Sequence, residues 1–320
     1  MVYVMAYDKS RRVNLSDLRN ILFWSVIFSI WLSVLFAYFF SQRAIEPISR
    51  IIRSVKEISS SRLNNRLDEG NRKDEIAQLA MTFNQILTNL EISFKSQQDF
   101  VSNASHELRT PISVLISESD YVISRKRTSE EYVSHISGQI ADLKKLNSLL
   151  NSLLELAQLN SDKTMAFTTV RVDEIVYNAI FQIKNKYHGR KIVPRIHYPE
   201  NERLLNIKGN DGLLSIAFSN LLDNACKFST EDVDVEFVIS DDHIRIRISD
   251  KGIGIPADEL KSGYTPFKRA SNVKYIGGFG LGLSLVKKIF DLHDAEMRVQ
   301  SSEDNGTLAE VIFKSFKNPE

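Results

Sequence analysis

Between Asn20 and Gln42 the chain reads NILFWSVIFSIWLSVLFAYFFSQ, without one charged side chain. A helix of that length rises through roughly the 30 Å hydrocarbon layer of a bilayer. A soluble buried helix rarely lacks charge on every face over such a distance, and Trp24, Trp31 and Tyr38 suit a lipid or interfacial setting. A signal peptide has a shorter apolar core ending at small residues, whereas this aromatic stretch runs straight into a further helical pattern. One retained transmembrane helix over 20–42 is therefore expected. Basic residues do not orient it: Lys9, Arg11, Arg12 and Arg19 precede the span, and Arg43, Arg50, Arg53 and Lys56 follow it.

The rest of the composition excludes more than it selects. Among 320 residues, 41 Lys and Arg face 40 Asp and Glu, a formal charge of +1, so the basic excess of a dedicated nucleic-acid binder is missing. The single cysteine, Cys226, permits neither an intramolecular disulfide nor a Cys-rich zinc site, which places the body of the chain in a reducing compartment. A hydrophobic content of 43% suffices for two or three packed units.

After the span, Ile48, Ile51, Ile52, Val55 and Ile58 recur at helical spacing behind Pro47, a residue tolerated in a first helical turn. A polar connector follows, and then Ile76, Leu79, Ala80, Phe83, Ile86, Leu87 and Leu90 form a heptad-like seam that one helix could not bury by itself. The pattern continues into DFVSNASHELRTPISVL, and a second seam follows at Ile136, Ile140, Leu143, Leu150, Leu153 and Ala157. Two long helices make a hairpin, and two hairpins from two chains would bury both seams as a four-helix bundle. His106 falls on the outside of that bundle beside Glu107, a carboxylate that can hold one ring proton while the other nitrogen attacks. A zinc-protease reading fails, because Thr110 stands where HExxH needs its second ligand. His135, His188, His197, His243 and His293 have no such neighbours and read as solvated or packed residues.

Beyond a polar hinge at Asn160 to Thr168 the pattern changes to alternating helices and strands. Asp173 is expected to cap a helix carrying Ile175, Val176, Ala179, Ile180 and Ile183. VDVEFVIS and HIRIRISD alternate with period two about a turn at Asp241 and Asp242, an antiparallel pair. In LLSIAFSNLLDNACKFS, Asn220, Asn224 and Lys227 are spaced i, i+4 and i+7 and share one helix face. Neutral amide oxygens can ligate a hard cation beside a polyphosphate, and the ammonium offsets phosphate charge. SDKGIGIP sets Asp250 at a strand end ahead of Gly252 and Gly254, where a carboxylate can accept from an exocyclic amine such as that of adenine. GGFGLGLSLVKKI, with Gly277, Gly278, Gly280 and Gly282, opens a helix whose first amides suit phosphate. It lacks the βαβ context of a dinucleotide fingerprint, and no Walker sequence occurs.

Taken together these segments resemble a known family. Helix, connector and helix after a membrane span resemble a HAMP signal-relay module, with Asp74 and Glu75 where that module's acidic pair opens the second helix. SHELRTP resembles the phosphoacceptor motif of two-component sensor histidine kinases. NLLDNACKF, DKGIGIP, PFKRAS and GGFGLGL resemble, in order, the N box, first glycine box, F box and second glycine box of the Bergerat ATP-binding fold. The resemblance covers Ser41 to about Lys317. It implies a multidomain α and α+β chain: 1–19 a short extracytoplasmic segment or the remnant of a sensor domain, 20–42 the transmembrane helix, 43–95 a HAMP-like linker, 96–161 a dimerisation and phosphotransfer hairpin, and 168–317 an ATP-binding α/β sandwich.

The family's residues carry over by position. His106 accepts the phosphoryl group, Glu107 serves as base or orienter, and Thr110 helps to position water when a phosphorylated partner is dephosphorylated. Asn220 and Asn224 face Mg2+, Lys227 and Arg269 face phosphate, Phe228 lies near the nucleotide, and Asp250 reads adenine. Gly252 and Gly254 belong to the first glycine box, and Gly278, Gly280, Leu281 and Gly282 to the second. Pro256 to Gly277 becomes a mobile cover over ATP with Phe267 as its anchor. Asn220 stands where related ATPases carry a Glu that activates water, and an amide is a poor base, so hydrolysis is not the expected job. The implied protein is a homodimeric kinase of the bacterial inner membrane that takes Mg-ATP, phosphorylates His106 and passes the group to an Asp on a response regulator receiver domain, with membrane lipid around its span and no direct nucleic-acid contact. Because ATP is cytosolic, residues after Gln42 lie inside. Two other readings stay open: a receptor or scaffold that binds ATP without transfer, and a protein that chiefly strips the regulator of its phosphate.

Overall fold

The computed structural model describes residues 9–42, 46–57, 64–70, 72–159, 166–260, 262–273 and 276–315. The expected hinge beginning at Asn160 lies largely outside the described residues. The chain divides into two compact units, Met1–Asp99 and Phe100–Glu320.

In the first unit, helix α1 (Lys9–Phe40) contains one stretch long and apolar enough to cross a membrane, Asp17–Phe40, with a mean hydropathy of 2.1. Its large side chains all point outward: Phe23, Trp24, Phe28, Trp31 and Phe36 are each more than half exposed, as a lipid-facing helix requires and a soluble core helix forbids. Helix α2 (Glu46–Glu57) is strongly amphipathic. Helix α3 (Glu75–Ile123) opens on Asp74, whose Oδ1 accepts the Ala77 amide at 2.8 Å and so closes the first turn.

The connector before α3 is strapped to that helix by Asn84. Its side-chain oxygen accepts the Leu67 amide at 2.8 Å while its Nδ2 donates to the Leu67 carbonyl at 3.0 Å and to Glu69 at 3.1 Å. Leu67, Ala77, Ala80 and Leu87 are all nearly inaccessible. The seam read as one stripe is thus two. Ala80 and Leu87 are buried within the chain itself, and Leu79, Ile86 and Leu90 remain about half exposed. Spacing alone cannot separate them, because both faces recur within the same heptads.

The second unit begins with the distal part of α3, which turns at residues 124–128 into α4 (Ser129–Leu159). A capping box fixes the turn: the Glu131 carboxylate accepts the Thr128 amide at 2.9 Å and the Thr128 hydroxyl accepts the Glu131 amide at 3.2 Å. Ile112, Ile116, Ile136, Ile140, Leu143 and Leu150 form an exposed apolar stripe on the hairpin. The other face of α4 buries Leu149, Leu153, Leu156 and Leu159 in the core of the sandwich that follows.

That sandwich comprises β1 (Thr168–Arg171), α5 (Val172–Lys186), β2 (Ile192–Ile196), β3 (Asn206–Gly209), α6 (Asp211–Phe228), β4 (Val233–Ile239), β5 (His243–Asp250), α7 (Gly282–Leu292), β6 (Glu296–Ser301) and β7 (Thr307–Lys314). The main sheet has the order β2-β4-β5-β7-β6, antiparallel except for the β2 and β4 pair, and β1 with β3 makes a small second sheet. Along β5 the side chains alternate strictly between buried and half-exposed, so one face takes the helices. Phe218 on α6, Phe290 on α7 and Phe313 on β7 meet at its centre with ring centroids 5.4 to 6.3 Å apart. Asp173 is not the cap of α5. That position falls to Arg171 without a side-chain cap bond, and Asp173, 2% exposed inside the first turn, is gripped by the Arg171 guanidinium at 2.9 and 3.2 Å. Strand β1 runs into the helix with no spare residue, and a carboxylate so desolvated needs a cation beside it.

His293 closes this unit. It caps α7, its Nδ1 donates to the Ile289 carbonyl at 2.7 Å, and its Nε2 accepts the Asn210 amide at 2.9 Å at the start of α6. The bond accepted by Nε2 requires the neutral ring, since a protonated imidazole has no free lone pair there. Burial, the largest influence, holds its pKa below the usual histidine value. The folded state therefore binds fewer protons than the unfolded one, and this contribution is lost as pH falls from the unfolded pKa of about 6.5. His293→Ala leaves a buried donor and a buried acceptor unpaired and is expected to cost about 2–4 kcal/mol. Thermal unfolding should show a large loss at pH 7.5 that narrows at pH 5.5, and an equal loss at both would exclude the neutral-ring account.

Candidate nucleotide site and phosphoacceptor helix

A cavity of about 270 Å³ opens between α6, the end of β5 and the loop leading into α7. Asn210 starts α6 by accepting the Leu213 amide at 3.0 Å, and the helix then sets Asn220, Asn224, Lys227 and Phe228 along one wall. Asn220 donates Nδ2 to the Ile216 carbonyl at 2.9 Å, which turns its oxygen toward Gly282, where an added Cβ would lie 3.1 Å from it. Asp250 ends β5 at the floor of the cavity, 8% exposed, with Oδ1 accepting the Gly252 amide at 2.8 Å. Burial raises its carboxyl pKa, and the amides of Gly252 and Thr307 pull it partly back. Burial likewise lowers the Lys227 ammonium, with Arg269 and Lys186 adding to the effect and Asp223 opposing it. A desolvated cation of this kind is stabilised by an arriving anion.

Two glycines show how closely the walls approach. Gly254 has φ +67°, and a Cβ there would sit 1.9 Å from the Ser302 carbonyl oxygen. Gly278 has φ +135° and lies over Lys227, whose Nζ would be 2.6 Å from an added Cβ. Gly280, Leu281 and Gly282 continue the same wall into the first turn of α7.

Three of the expected residues sit otherwise. Gly252 and Phe267 are not on the cavity surface: Gly252 supports Asp250 from behind, and Phe267, at φ +66°, donates its amide to the Gly280 carbonyl at 2.9 Å. Arg269 does line the cavity, but its Nη2 donates to the Val273 and Ile276 carbonyls of its own loop. His106, Glu107 and Thr110 are exposed on α3 and take no part in the cavity lining, and the Thr110 hydroxyl donates to the His106 carbonyl at 3.2 Å. Sequence reasoning passed over Ser152 and Thr307, which also line the cavity, and reached Glu259 and Lys268 only as members of the segment expected to cover it. Cys226, fully buried on α6, has its thiol pushed up to about 11 by burial and is inert.

Three family models match this chain in order. Residues 39–92 match the HAMP domain, 96–162 the His Kinase A (phospho-acceptor) domain, and 209–317 the histidine kinase-, DNA gyrase B- and HSP90-like ATPase. Sensor histidine kinase YkoH of Bacillus subtilis strain 168 is 29% identical over 280 residues, covering 85% of this chain and 60% of that protein. Signal transduction histidine-protein kinase ArlS of Staphylococcus aureus strain USA300 is 28% identical over 284 residues, covering 87% and 62%. The chain thus carries the HAMP, phospho-acceptor and ATPase domains in that order, and both relatives are histidine kinases by name. It spans about three fifths of the length of these two relatives.

Among solved structures, Acinetobacter baumannii histidine kinase AdeS matches with a TM-score of 0.52 at 18% identity, covering 66% of this chain and 98% of that one. Histidine kinase ThkA in complex with response regulator protein TrrA matches with a TM-score of 0.56 at 16% identity, covering 68% and 61%. These likenesses concern the fold. The residues present in the cavity fit a nucleotide and its cation: a buried carboxylate for a base edge, amide side chains on α6 for a hard cation, and a lysine beneath a glycine that a Cβ would displace.

Proposed function

We propose that this kinase is held in a bacterial cell membrane by α1, works as a homodimer through the exposed stripe of its hairpin, binds Mg-ATP in the cavity of its C-terminal sandwich, and phosphorylates its own His106. Asp250 accepts from the adenine amine, Asn220 and Asn224 hold the magnesium, and Lys227 neutralises phosphate. Bound there, the cation spreads the negative charge of the transferring group. An imidazole nitrogen of His106 attacks the γ-phosphorus, the N–P bond forms as the bond to the β–γ bridging oxygen breaks, and ADP leaves. Glu107 orients the ring and takes its proton. The group then passes to an Asp carboxylate of a response regulator receiver domain, and Thr110 serves the reverse hydrolysis by positioning water.

The observation that carries this reading is the convergence of Asp250, Asn220, Asn224, Lys227 and the glycine wall on one cavity, in a chain that also exposes His106 beside Glu107. Incubation with Mg-ATP labelled in the γ-phosphate is expected to mark the protein with phosphate that is lost in acid and kept in alkali, as a phosphoramidate is. Addition of a partner receiver domain should then move the label to acyl phosphate. Binding of ATP with no label at all would favour the scaffold reading instead, and acid-stable label would place the phosphate on a hydroxyl residue and overturn His106 as acceptor.

A further inference from the structure

The floor of the nucleotide cavity ends in a polar row laid across three strands. Asp250 on β5, Thr307 on β7 and Ser301 on β6 are register partners in turn. The next partners on the same sheet face, Ile248, Ala309 and Val299, are buried and apolar. Asp250 and Thr307 line the cavity, and Ser301 stands behind Thr307 without lining it.

The Ser301 hydroxyl is fully used. Its Oγ accepts the Ile255 amide at 2.8 Å, lies 2.8 Å from the Gly306 carbonyl oxygen and 2.9 Å from the Thr307 hydroxyl. A serine hydroxyl has one proton and two lone pairs. The Gly306 carbonyl can only accept, so the Ser301 proton goes to it, and the Ile255 amide takes one lone pair. The other lone pair then accepts the Thr307 proton. In that order each of the three contacts holds one proton. In the reverse order the Ser301 and Gly306 oxygens would face each other with no proton between them. Thr307 therefore turns only lone pairs toward the cavity.

That polarity selects a base. The ionised Asp250 is also an acceptor, so these two side chains offer a ligand lone pairs and no proton. An adenine amine brings two protons to them. Hypoxanthine and guanine carry a carbonyl oxygen in place of that amine and a proton on the neighbouring ring nitrogen. Asp250 can take the proton, but the carbonyl then faces the Thr307 lone pairs and stays unpaired, which costs affinity. We infer that Ser301 is a positioning residue for base selection: by holding the Thr307 proton it makes the cavity accept a 6-amino purine and refuse a 6-oxo purine. This rests on the assignment of ATP to the cavity.

The test is displacement of a fluorescent N-methylanthraniloyl ATP by ATP and by inosine triphosphate, with the full chain reconstituted in lipid nanodiscs. The unaltered protein should bind ATP at least about tenfold more tightly than inosine triphosphate. In Ser301→Ala the Thr307 hydroxyl can turn its proton into the cavity, and the preference should fall to about threefold or less because inosine triphosphate binds better. Ser301→Thr keeps a hydroxyl and should keep the preference. Thr307→Val leaves the Ser301 bonds to Ile255 and Gly306 in place and should narrow the preference from the other side, by weakening ATP. A purely structural Ser301 would weaken both nucleotides equally, so an unchanged ratio in Ser301→Ala overturns the inference. Should that variant fail to fold, an unchanged ratio in Thr307→Val overturns it instead. Equal binding of the two nucleotides by the unaltered protein overturns base selection and leaves the nucleotide site standing, whereas failure to bind either overturns the site assignment itself.

Discussion

His106→Gln is expected to reduce labelling from γ-labelled ATP to background, a loss of at least about 10³-fold, the scale on which enzymes respond to removal of an activated nucleophile. A glutamine amide keeps the polarity and approximate reach of the ring but has no lone pair basic enough to take a phosphoryl group. The site is exposed and its backbone belongs to a 49-residue helix, so the fold has little to lose. The cavity does not include the residue, so nucleotide affinity should stay within about twofold of the original. That separation gives the experiment its force. Labelling and affinity lost together would indicate a folding defect, and labelling retained on histidine would move the acceptor elsewhere. Glu107→Gln supplies a graded comparison, because the acceptor remains and only its orienting carboxylate is withdrawn.

The parts of this molecule legible in sequence are those in which neighbours along the chain carry the chemistry. The charge-free run, the SHELRTP motif and the four boxes are local words, and α6 brings Asn220, Asn224 and Lys227 to one wall simply because a helix repeats every 3.6 residues. The parts that were not legible depend on chain reversal. Ser152 reaches the cavity from a helix whose own pattern speaks only of leucines, and Thr307 arrives through the pairing of β7 with β5, opposite Asp250. Arg269 shows a further limit. Its position in the F box is readable, but the carbonyls of Val273 and Ile276 that occupy its guanidinium follow from how the loop closes on itself. Asp173 erred for a related reason, since a capping preference yields when a neighbouring guanidinium and near-complete burial offer the carboxylate a stronger partner.

Asp250→Asn should weaken ATP binding by about 10- to 100-fold, and the reason is a count of donors. The Gly252 and Thr307 amides already point at the carboxylate, and the adenine amine would bring a third N–H to the same group. Two ionised oxygens accept all three, whereas an asparagine has one acceptor oxygen and an NH2 that must face a donor. One N–H is then left unpaired in a site that is nearly dry, at a cost of about 1–3 kcal/mol. Asp250→Ala would be a poorer test, since it strips both backbone amides and threatens the strand end. The decisive comparison pairs the variant with a nucleotide lacking the 6-amino group, purine riboside triphosphate. If Asp250 reads that amine, the original protein should prefer ATP by about tenfold or more and Asp250→Asn should lose most of the preference, a coupling between one side chain and one ligand group. Equal discrimination in both proteins would assign Asp250 to holding the Gly252 turn, and adenine would have to be read by backbone groups around it.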